Sequence, residues 1–318
     1  MVSRVLSSAV ELGVFTELAK SSKDEEQLRK SLKLHPRGAR DFFDALTSMG
    51  LLRRRNGVYG NTKETSFYLD KSKPTYIGDI IKLDARPLYK KFSFLTSVLR
   101  TGSPVGLKKE EDLFDATYND PDRLRSFLAA MTGISMAPAR FIAKKFPWAD
   151  YESFYDIGSG RGTLPVQIAL AHKHLKGGGF DLRQIKHVFE EYVASFGLEK
   201  RLRFVAGDFF RDSLPRADVL IMGHILHDWS LEKKKLLIKK AFRALQRNGA
   251  LIVYESILDN KRLKNTRGLL ASLNMLVGTR GGSEYTFEQG FKWMREAGFR
   301  RAYSVHLTGP KSMIVAIK

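Results

Sequence analysis

The chain has 318 residues, of which 43% are hydrophobic and 28% are charged, as in globular proteins large enough for two domains. It has no cysteine, which excludes disulfides, thiolate nucleophiles and cysteine-ligated metal centres. There is neither a signal-peptide pattern nor an apolar run of about 18 residues, so we expect a cytoplasmic protein that does not enter a membrane. The formal net charge of +20 predicts a positive field that attracts anions.

The first hundred residues have a mainly helical pattern that ends in a hairpin. In the segments SSAVELGVFTELAK and HPRGARDFFDALTSMGLL, apolar residues recur at helical spacing. Asn56 and Gly57 then stand between two short β-prone runs, which is a strong signal for a two-residue hairpin turn. Helices followed by a hairpin predict a winged-helix-like domain over residues 1–100.

Residues 101–318 have the pattern of an α/β domain. Residues 101–147 are mostly helical, and their clearest element is LRSFLAAMTGISMAPARFIAKKF. From Tyr151 onward, short apolar runs alternate with amphipathic helices, which indicates a mostly parallel sheet with helices on both faces. The sequence therefore predicts the α/β fold class, with a Rossmann-like sheet after a mainly helical N-terminal domain.

A glycine-rich loop stands at the start of this sheet. In YDIGSGRG, Gly158 and Gly160 would let a ligand approach the main chain closely. Asp181 ends the next apolar run, where a carboxylate suits the ribose hydroxyls of a nucleoside. The spacing differs from that of a dinucleotide-binding loop. Asp156, just before the first glycine, would repel a pyrophosphate but would suit the cationic amine of a methionine moiety.

The third apolar run ends in GDFF. Asp208 can accept a hydrogen bond from the adenine amino group, and the ring of Phe209 can stack on the base. Taken alone, Asp181 or Asp208 is equally well explained as a loop cap. Three acids at successive strand ends, beginning at one glycine loop, favour a nucleoside-type cofactor.

Two histidines follow the next buried run, in DVLIMGHILHDWS. His227 would face the same crevice as the cofactor, and an imidazole of near-neutral pKa can accept a proton from a hydroxyl. We expect His224 to line the cofactor site or to pack. Glu255 at the end of the following strand, or Glu284 before the last helix, could hold the imidazole of His227 in one tautomer. A surface or cap role explains each glutamate equally well. We expect no metal site, because there is no HExxH motif and no carboxylate pair with ligand spacing.

The order of the motifs DIGSGRG, GFDL, GDFF, GHILHDWS, ALIVYESIL and GGSEYT resembles the plant-type and bacterial small-molecule O-methyltransferases over essentially the whole chain. These include caffeate, hydroxyindole (acetylserotonin) and polyketide or antibiotic O-methyltransferases. The resemblance implies a homodimer formed through the N-terminal domain, and His227 as the base, flanked by Glu255 and Glu284. It implies that S-adenosylmethionine, and S-adenosylhomocysteine as product, are bound by Gly158, Gly160, Asp181, Asp208 and Phe209.

The resemblance also indicates an acceptor pocket for a small, aromatic, hydroxylated compound. Phe127, Met131 and Met275 match its lining positions, although plain core packing explains these three residues equally well. We add Asp228 to the predicted pocket because it directly follows the proposed base.

Two alternative functions remain open at this point. The winged-helix pattern, Arg53, Arg54 and Arg55 in the wing and the charge of +20 suit a nucleic-acid-binding regulator. Against this, the helix ARDFFDALTSMG offers few side chains that read bases. Enzymes that resemble this chain also methylate nitrogen or carbon, or catalyse decarboxylation or hydroxylation without methyl transfer.

Overall fold

The computed structural model of the protein describes residues 2–83, 89–104 and 115–318. The chain divides into two compact units. The first comprises Met1–Lys90 and Ala129–Ile134, and the second comprises Lys91–Leu128 and Ser135–Lys318.

The first unit consists of short helices and a small sheet. Its elements up to residue 83 are α1 (Val2–Glu11), α2 (Val14–Lys20), β1 (Lys23–Asp24), α3 (Glu25–Ser31), α4 (Pro36–Ser48), β2 (Leu52–Arg55), β3 (Val58–Asn61), α5 (Lys63–Tyr68) and α6 (Gly78–Leu83). In the described part of the chain, β1, β3 and β2 pair in that order into an antiparallel sheet.

Local signals in the sequence set these boundaries. Asp24 accepts a hydrogen bond from the backbone of Gln27, whose side chain accepts from the backbone of Asp24, and this capping box starts α3. Pro36 occupies the first turn of α4. Asn56 and Gly57 have φ angles of 49° and 79°, the left-handed conformation that a tight hairpin turn needs. The helices and the hairpin on which the winged-helix prediction rests are therefore present.

The rest of the described chain supplies the larger sheet and the helices around it. Its helices are α7 (Tyr89–Phe92), α8 (Leu95–Thr101), α9 (Asp115–Tyr118), α10 (Pro121–Lys145), α11 (Thr163–Ala171), α12 (Lys186–Ala194), α13 (Leu231–Ala244), α14 (Thr266–Gly278) and α15 (Phe287–Ala297), with 3₁₀ turns at Trp148–Asp150, Arg183–Ile185 and Leu226–Asp228. Its strands are β4 (Ser153–Ile157), β5 (Lys176–Asp181), β6 (Leu202–Ala206), β7 (Ala217–Gly223), β8 (Leu245–Glu255), β9 (Arg301–Thr308) and β10 (Lys311–Ile317).

Within the described residues, these strands form one sheet in the order β6-β5-β4-β7-β8-β10-β9. The pairs from β6 to β8 are parallel, while β10 is antiparallel to both β8 and β9. Phe154, Ile221, Ile252 and Val315, on four adjacent strands, are fully buried in one core. The predicted α/β class is confirmed, and the parallel pairing brings the carboxyl ends of β4 to β8 to one edge.

Helix α10 is, among the described helices, the one long and apolar enough to cross a membrane by length and composition. The core helix of a soluble protein passes the same test, and Leu124, Leu128 and Ile142 of α10 pack in the core of the second unit. The absence of a membrane partner stays a prediction.

The predicted domain boundary near residue 100 also stays a prediction. The helical stretch predicted over residues 101–147 contains α9 and α10, and its residues 105–114 lie outside the described residues. Met131 belongs to the short segment of α10 that is grouped with the first unit.

Candidate active site

The glycine loop after β4 is tied to the end of β5 by a carboxylate. Gly158 and Gly160 have φ angles of 74° and 53°, and the amide of Gly160 donates to Oδ2 of Asp181 at 2.8 Å. Oδ1 of Asp181 accepts from the amide of Leu182 at 2.8 Å. Burial nevertheless raises the pKa of Asp181 to about 6, against the effect of these two hydrogen bonds. Two of the predicted cofactor glycines and one predicted acid are therefore brought together.

Asp156 lies below this loop in the interior of the sheet and is 5% exposed. Burial, and then the charge of Asp181, raise the pKa of Asp156 well above its ordinary value. A bound cation would offset both effects, so the pair fits a positively charged ligand group.

Asp208, after β6, is more exposed and has partners in its own turn. Its Oδ1 accepts from the amide of Phe210 at 2.8 Å, and its Oδ2 lies 3.4 Å from Nε of Arg211. The half-buried ring of Phe209 contacts Trp229 edge-on, with centroids 6.0 Å apart. Asp208 therefore caps a loop, which is the alternative to a role in cofactor binding. It also lies at the strand end where a cofactor ligand is predicted.

The imidazole of His227 is 8% exposed and is held from one side by a carboxylate. Its Nδ1 lies 2.9 Å from Oε1 of the buried Glu284, and its Nε2 lies 3.7 Å from Oδ1 of Asp228. Burial alone would lower the pKa of His227, but the charges of Glu284, Asp228 and Glu255 raise it to about 9. Burial raises the pKa of Asp228 to about 6. This geometry is that of a base oriented by an acid.

Glu255 binds backbone amides and does not bind the imidazole of His227. Its Oε1 accepts from the backbone amides of Ile225 and His227, both at 3.1 Å. Of the two carboxylates predicted to hold the His227 ring, Glu284 therefore does so, while Glu255 braces the turn that carries the ring.

Charges from two strand ends of the sheet act on the hydroxyl of Tyr118. Burial raises the pKa of its hydroxyl well above the ordinary value, and the charges of Asp181 and Asp228 raise it further. The hydroxyl is thus within electrostatic range of an acid at the glycine loop and of one beside Nε2 of His227. At the same edge, Ile225 lies so close to Gly158 that a Cβ there would meet its Cδ1 at 2.2 Å.

Family models match both parts of the chain. The model of the O-methyltransferase domain matches residues 102–300, and that of the O-methyltransferase dimerisation domain matches residues 1–71. The chain belongs to the S-adenosylmethionine-dependent O-methyltransferases.

Known relatives of the chain are methyltransferases that are named for transfer to oxygen or to nitrogen. The methyltransferase is 38% identical to the tetracenomycin polyketide synthesis 8-O-methyl transferase TcmO of Streptomyces glaucescens, over 99% of this chain and 93% of that protein. It is 34% identical to the N,N-dimethyltransferase OxyT of Streptomyces rimosus, over 94% and 87%. The crystal structure of human N-acetylserotonin methyltransferase in complex with SAM has a TM-score of 0.93 and 29% identity, covering 100% of this chain and 94% of that one.

The residues present fit the methyl donor of this family. S-Adenosylmethionine carries a cationic sulfonium and an amino-acid end, and the two buried acids Asp156 and Asp181 gain from a nearby positive charge and from hydrogen-bond donors. We expect the glycine loop with Asp156 to hold the amino-acid end, and Asp181 to hold the ribose.

The three residues predicted to line the acceptor pocket of the methyltransferase are all half-buried. Phe127 is half-buried, and its ring centroid lies 6.3 Å from that of Tyr118. Met275 is half-buried on α14, and its carbonyl accepts from the amide and the hydroxyl of Thr279 at 2.8 Å. Met131 is half-buried within the first unit. The sequence does not predict a role for Tyr118, because this residue does not follow a predicted strand and does not belong to any of the motifs on which the resemblance rests.

A buried lysine holds the loop that carries Glu284. Lys234 on α13 is 2% exposed, and its Nζ donates to the carbonyl of Ser283 at 2.8 Å and to its hydroxyl at 3.1 Å. The same ammonium lies 5.7 Å from the ring centroid of Tyr285. Ser272 accepts from the amide of Glu284 at 3.2 Å. Together these contacts fix the carboxylate that orients His227.

We expect Lys234→Leu to lower the free energy of unfolding by about 1–3 kcal/mol, because it leaves the half-buried carbonyl and hydroxyl of Ser283 without their donor. Chemical denaturation followed by circular dichroism measures this change. Lys239→Leu, on the exposed face of the same helix, is the control and should change stability little. Equal effects of the two substitutions would contradict the role assigned to Lys234.

Proposed function

We propose that this methyltransferase methylates the hydroxyl of a small, aromatic acceptor, with His227 as the general base. The observation that carries the proposal is the buried His227–Glu284 pair, in which Glu284 occupies Nδ1 and leaves Nε2 for the acceptor. Nε2 takes the hydroxyl proton, and the oxygen then attacks the methyl group as its bond to sulfur breaks. Glu284 stabilises the imidazolium that forms. The cofactor supplies the methyl group on a sulfonium, whose neutral thioether leaves.

The negative charges around His227 determine when its imidazole is neutral and can accept a proton. With a pKa of about 9, the imidazole is mostly protonated at neutral pH when the crevice holds no cation. A positive charge bound beside the ring disfavours that proton, because like charges lower the pKa of a cationic acid. Binding of the methyl donor therefore favours the neutral imidazole, which is the form that can act as the base.

An aromatic acceptor is supported by the rings at the crevice and by the relatives. Tyr118 and Phe127 place two rings near the acids of the site. TcmO is named for 8-O-methylation in tetracenomycin polyketide synthesis, and the human neighbour for N-acetylserotonin. We further propose that the chain acts as a homodimer, formed through the region that matches the dimerisation domain.

The second candidate function is transfer of the methyl group to nitrogen. OxyT, which is named as an N,N-dimethyltransferase, supports this candidate. The buried base does not distinguish the two, since an ammonium group must also lose a proton before it can act as a nucleophile.

Binding and product analysis test the proposal. Isothermal titration should show that S-adenosylhomocysteine binds, and a panel of phenols should yield products heavier by one methyl group. Each phenol is tested beside the matching aniline. Methylated phenols support the proposal, products from the anilines alone favour the second candidate, and no binding of S-adenosylhomocysteine at millimolar concentration would refute both.

A further inference from the structure

A lysine and a histidine meet beside the crevice, and the proposed proton transfer uses neither. Lys311 is the first residue of β10, whose second residue, Ser312, is opposite Glu255 at the end of β8. Because β10 runs antiparallel, its beginning lies at the same edge as the carboxyl ends of the parallel strands. There, Nζ of Lys311 is 3.3 Å from Nδ1 of His224, a residue 87 positions away in sequence.

His224 is held in an unusual conformation, and its surroundings disfavour a positive charge on its ring. Its φ angle of 56° lies in the left-handed region, and its amide donates to the carbonyl of Tyr254 at 3.3 Å. Burial, and then the charges of Lys311 and His227, lower the pKa of His224 well below its ordinary value. The ammonium of Lys311 has only hydrogens to offer, so Nδ1 is the acceptor of this contact. In a neutral imidazole, the hydrogen is then on Nε2.

This Nε2–H donor is buried and has no partner among the described residues. Leaving a buried donor unpaired is costly, so such a group in a native site calls for a water or a ligand atom that accepts from it. The unsatisfied donor therefore points to a position next to His224 where an oxygen atom of a ligand or a water could accept a hydrogen bond.

The neighbours of His224 identify the kind of oxygen. Its ring lies edge-on to that of Tyr254, with centroids 5.5 Å apart. Burial, and then the charge of Asp156, raise the pKa of the same tyrosine. Tyr254 thus contacts the ring that carries the buried donor and is also within electrostatic range of a buried acid. An amino-acid group matches this pair, because its amine suits Asp156 and its carboxylate suits Nε2–H of His224.

We propose that Lys311 is a positioning residue that keeps His224 in the Nε2–H tautomer, so that His224 donates to the carboxylate of the cofactor's amino-acid end. The inference rests on the proposed function only through the cofactor site, and not through His227 as the base. Its test therefore uses binding and spectroscopy of the purified full chain.

The test compares two ligands that differ in the amino-acid end. S-Adenosylhomocysteine has that end, while 5′-methylthioadenosine shares its nucleoside and thioether but lacks it. By isothermal titration, Lys311→Met should weaken binding of S-adenosylhomocysteine by about tenfold, the effect of one hydrogen bond to a charged group, and leave methylthioadenosine nearly unchanged. Lys311→Arg should restore most of the affinity, because it keeps a cationic donor.

Arg267→Met is the matched control. The charge of Arg267 acts on Lys311, but the side chain of Arg267 is exposed on α14. It should change neither affinity much. If Lys311→Met weakened the binding of both ligands equally, or of neither ligand, the proposed positioning role would be wrong.

Nitrogen-15 NMR of the histidine rings gives a second readout. The wild-type spectrum should show His224, assigned with a His224→Asn variant, as a neutral ring with hydrogen on Nε2, and Lys311→Met should disturb this state. A wild-type ring with hydrogen on Nδ1 would overturn the inference. If the wild-type chain bound neither ligand, the cofactor part of the proposed function would fail, and the inference would fail with it. A fully active enzyme whose Lys311→Met variant binds normally would refute the inference alone.

Discussion

Replacing His227 by alanine should lower kcat by about 10²–10⁴-fold, which is the usual contribution of a positioned general base. The substitution removes Nε2, the nitrogen that faces Asp228, but keeps the backbone amide that donates to Glu255. The glycine loop and Asp181 are untouched, so the affinity for S-adenosylhomocysteine should change little. Turnover is measured by mass detection of the methylated phenol, and affinity by titration.

Stability must be measured beside activity, because His227→Ala leaves Glu284 buried without its partner. Thermal unfolding shows what fraction of the variant is folded at the assay temperature. His187→Ala, on the exposed face of α12, is the matched control and should keep full activity. A folded His227→Ala enzyme with wild-type turnover would remove His227 from its proposed role.

The double variant with Glu284→Gln shows whether the two residues act as a unit. If Glu284 acts only by orienting the ring, the double variant should be no slower than His227→Ala alone, since groups that act together are far from additive. Losses that multiplied would instead mean that Glu284 acts on the acceptor by itself.

The sequence could predict the sheet and the edge at which the site lies. Parallel strands that alternate with helices end at one edge, so Gly160, Asp181 and His227 could be placed in one crevice from their order along the chain. The contact from the amide of Gly160 to Asp181 agrees with that expectation. The hairpin at Asn56 and Gly57 was equally predictable, because the conformation of its turn depends on those two residues alone.

The partner of His227 could not be selected in the same way. Glu255 and Glu284 are both near the ring, and which one meets the imidazole depends on the 3₁₀ turn and on the loop before α15. That loop is fixed by Lys234, 49 residues from Ser283 in sequence. No local pattern marks this contact, since a lysine in a basic helix reads as a surface residue until it is seen to be buried.

The position of Lys311 at the active edge could not be predicted from the sequence, because it depends on where β10 inserts in the sheet. The last strand, β10, inserts between β8 and β9 and runs against the parallel strands, so its first residue reaches the active edge. Pattern analysis predicts that a strand exists there but not where it inserts. His224 and His227 are three positions apart and burial lowers the pKa of both, yet their pKa values move in opposite directions, because an ammonium acts on one and carboxylates act on the other. Such a difference depends on tertiary contacts and not on the motif.

The pH dependence of catalysis should shift when Glu284 is replaced by glutamine. The neutral form of His227 is the active one, and its pKa is raised to about 9, so kcat/KM for S-adenosylmethionine in the wild-type enzyme should rise with pH towards that value. Glu284→Gln removes a negative charge 2.9 Å from Nδ1, which should move the rising limb down by about one to three pH units. The plateau should fall by about 10²–10⁴-fold, because an amide stabilises the imidazolium less well than a carboxylate.

Glu288→Gln removes the same charge from an exposed position in the first turn of α15 and should leave the profile where it is. The two variants together separate a local charge effect from a change in the net charge of the protein. If the limb stayed in place in Glu284→Gln while the rate fell, Glu284 would orient the ring without setting its pKa. If neither the limb nor the rate moved, the buried pair of His227 and Glu284 would not be the catalytic base, since a carboxylate in contact with the titrating imidazole must affect its proton affinity.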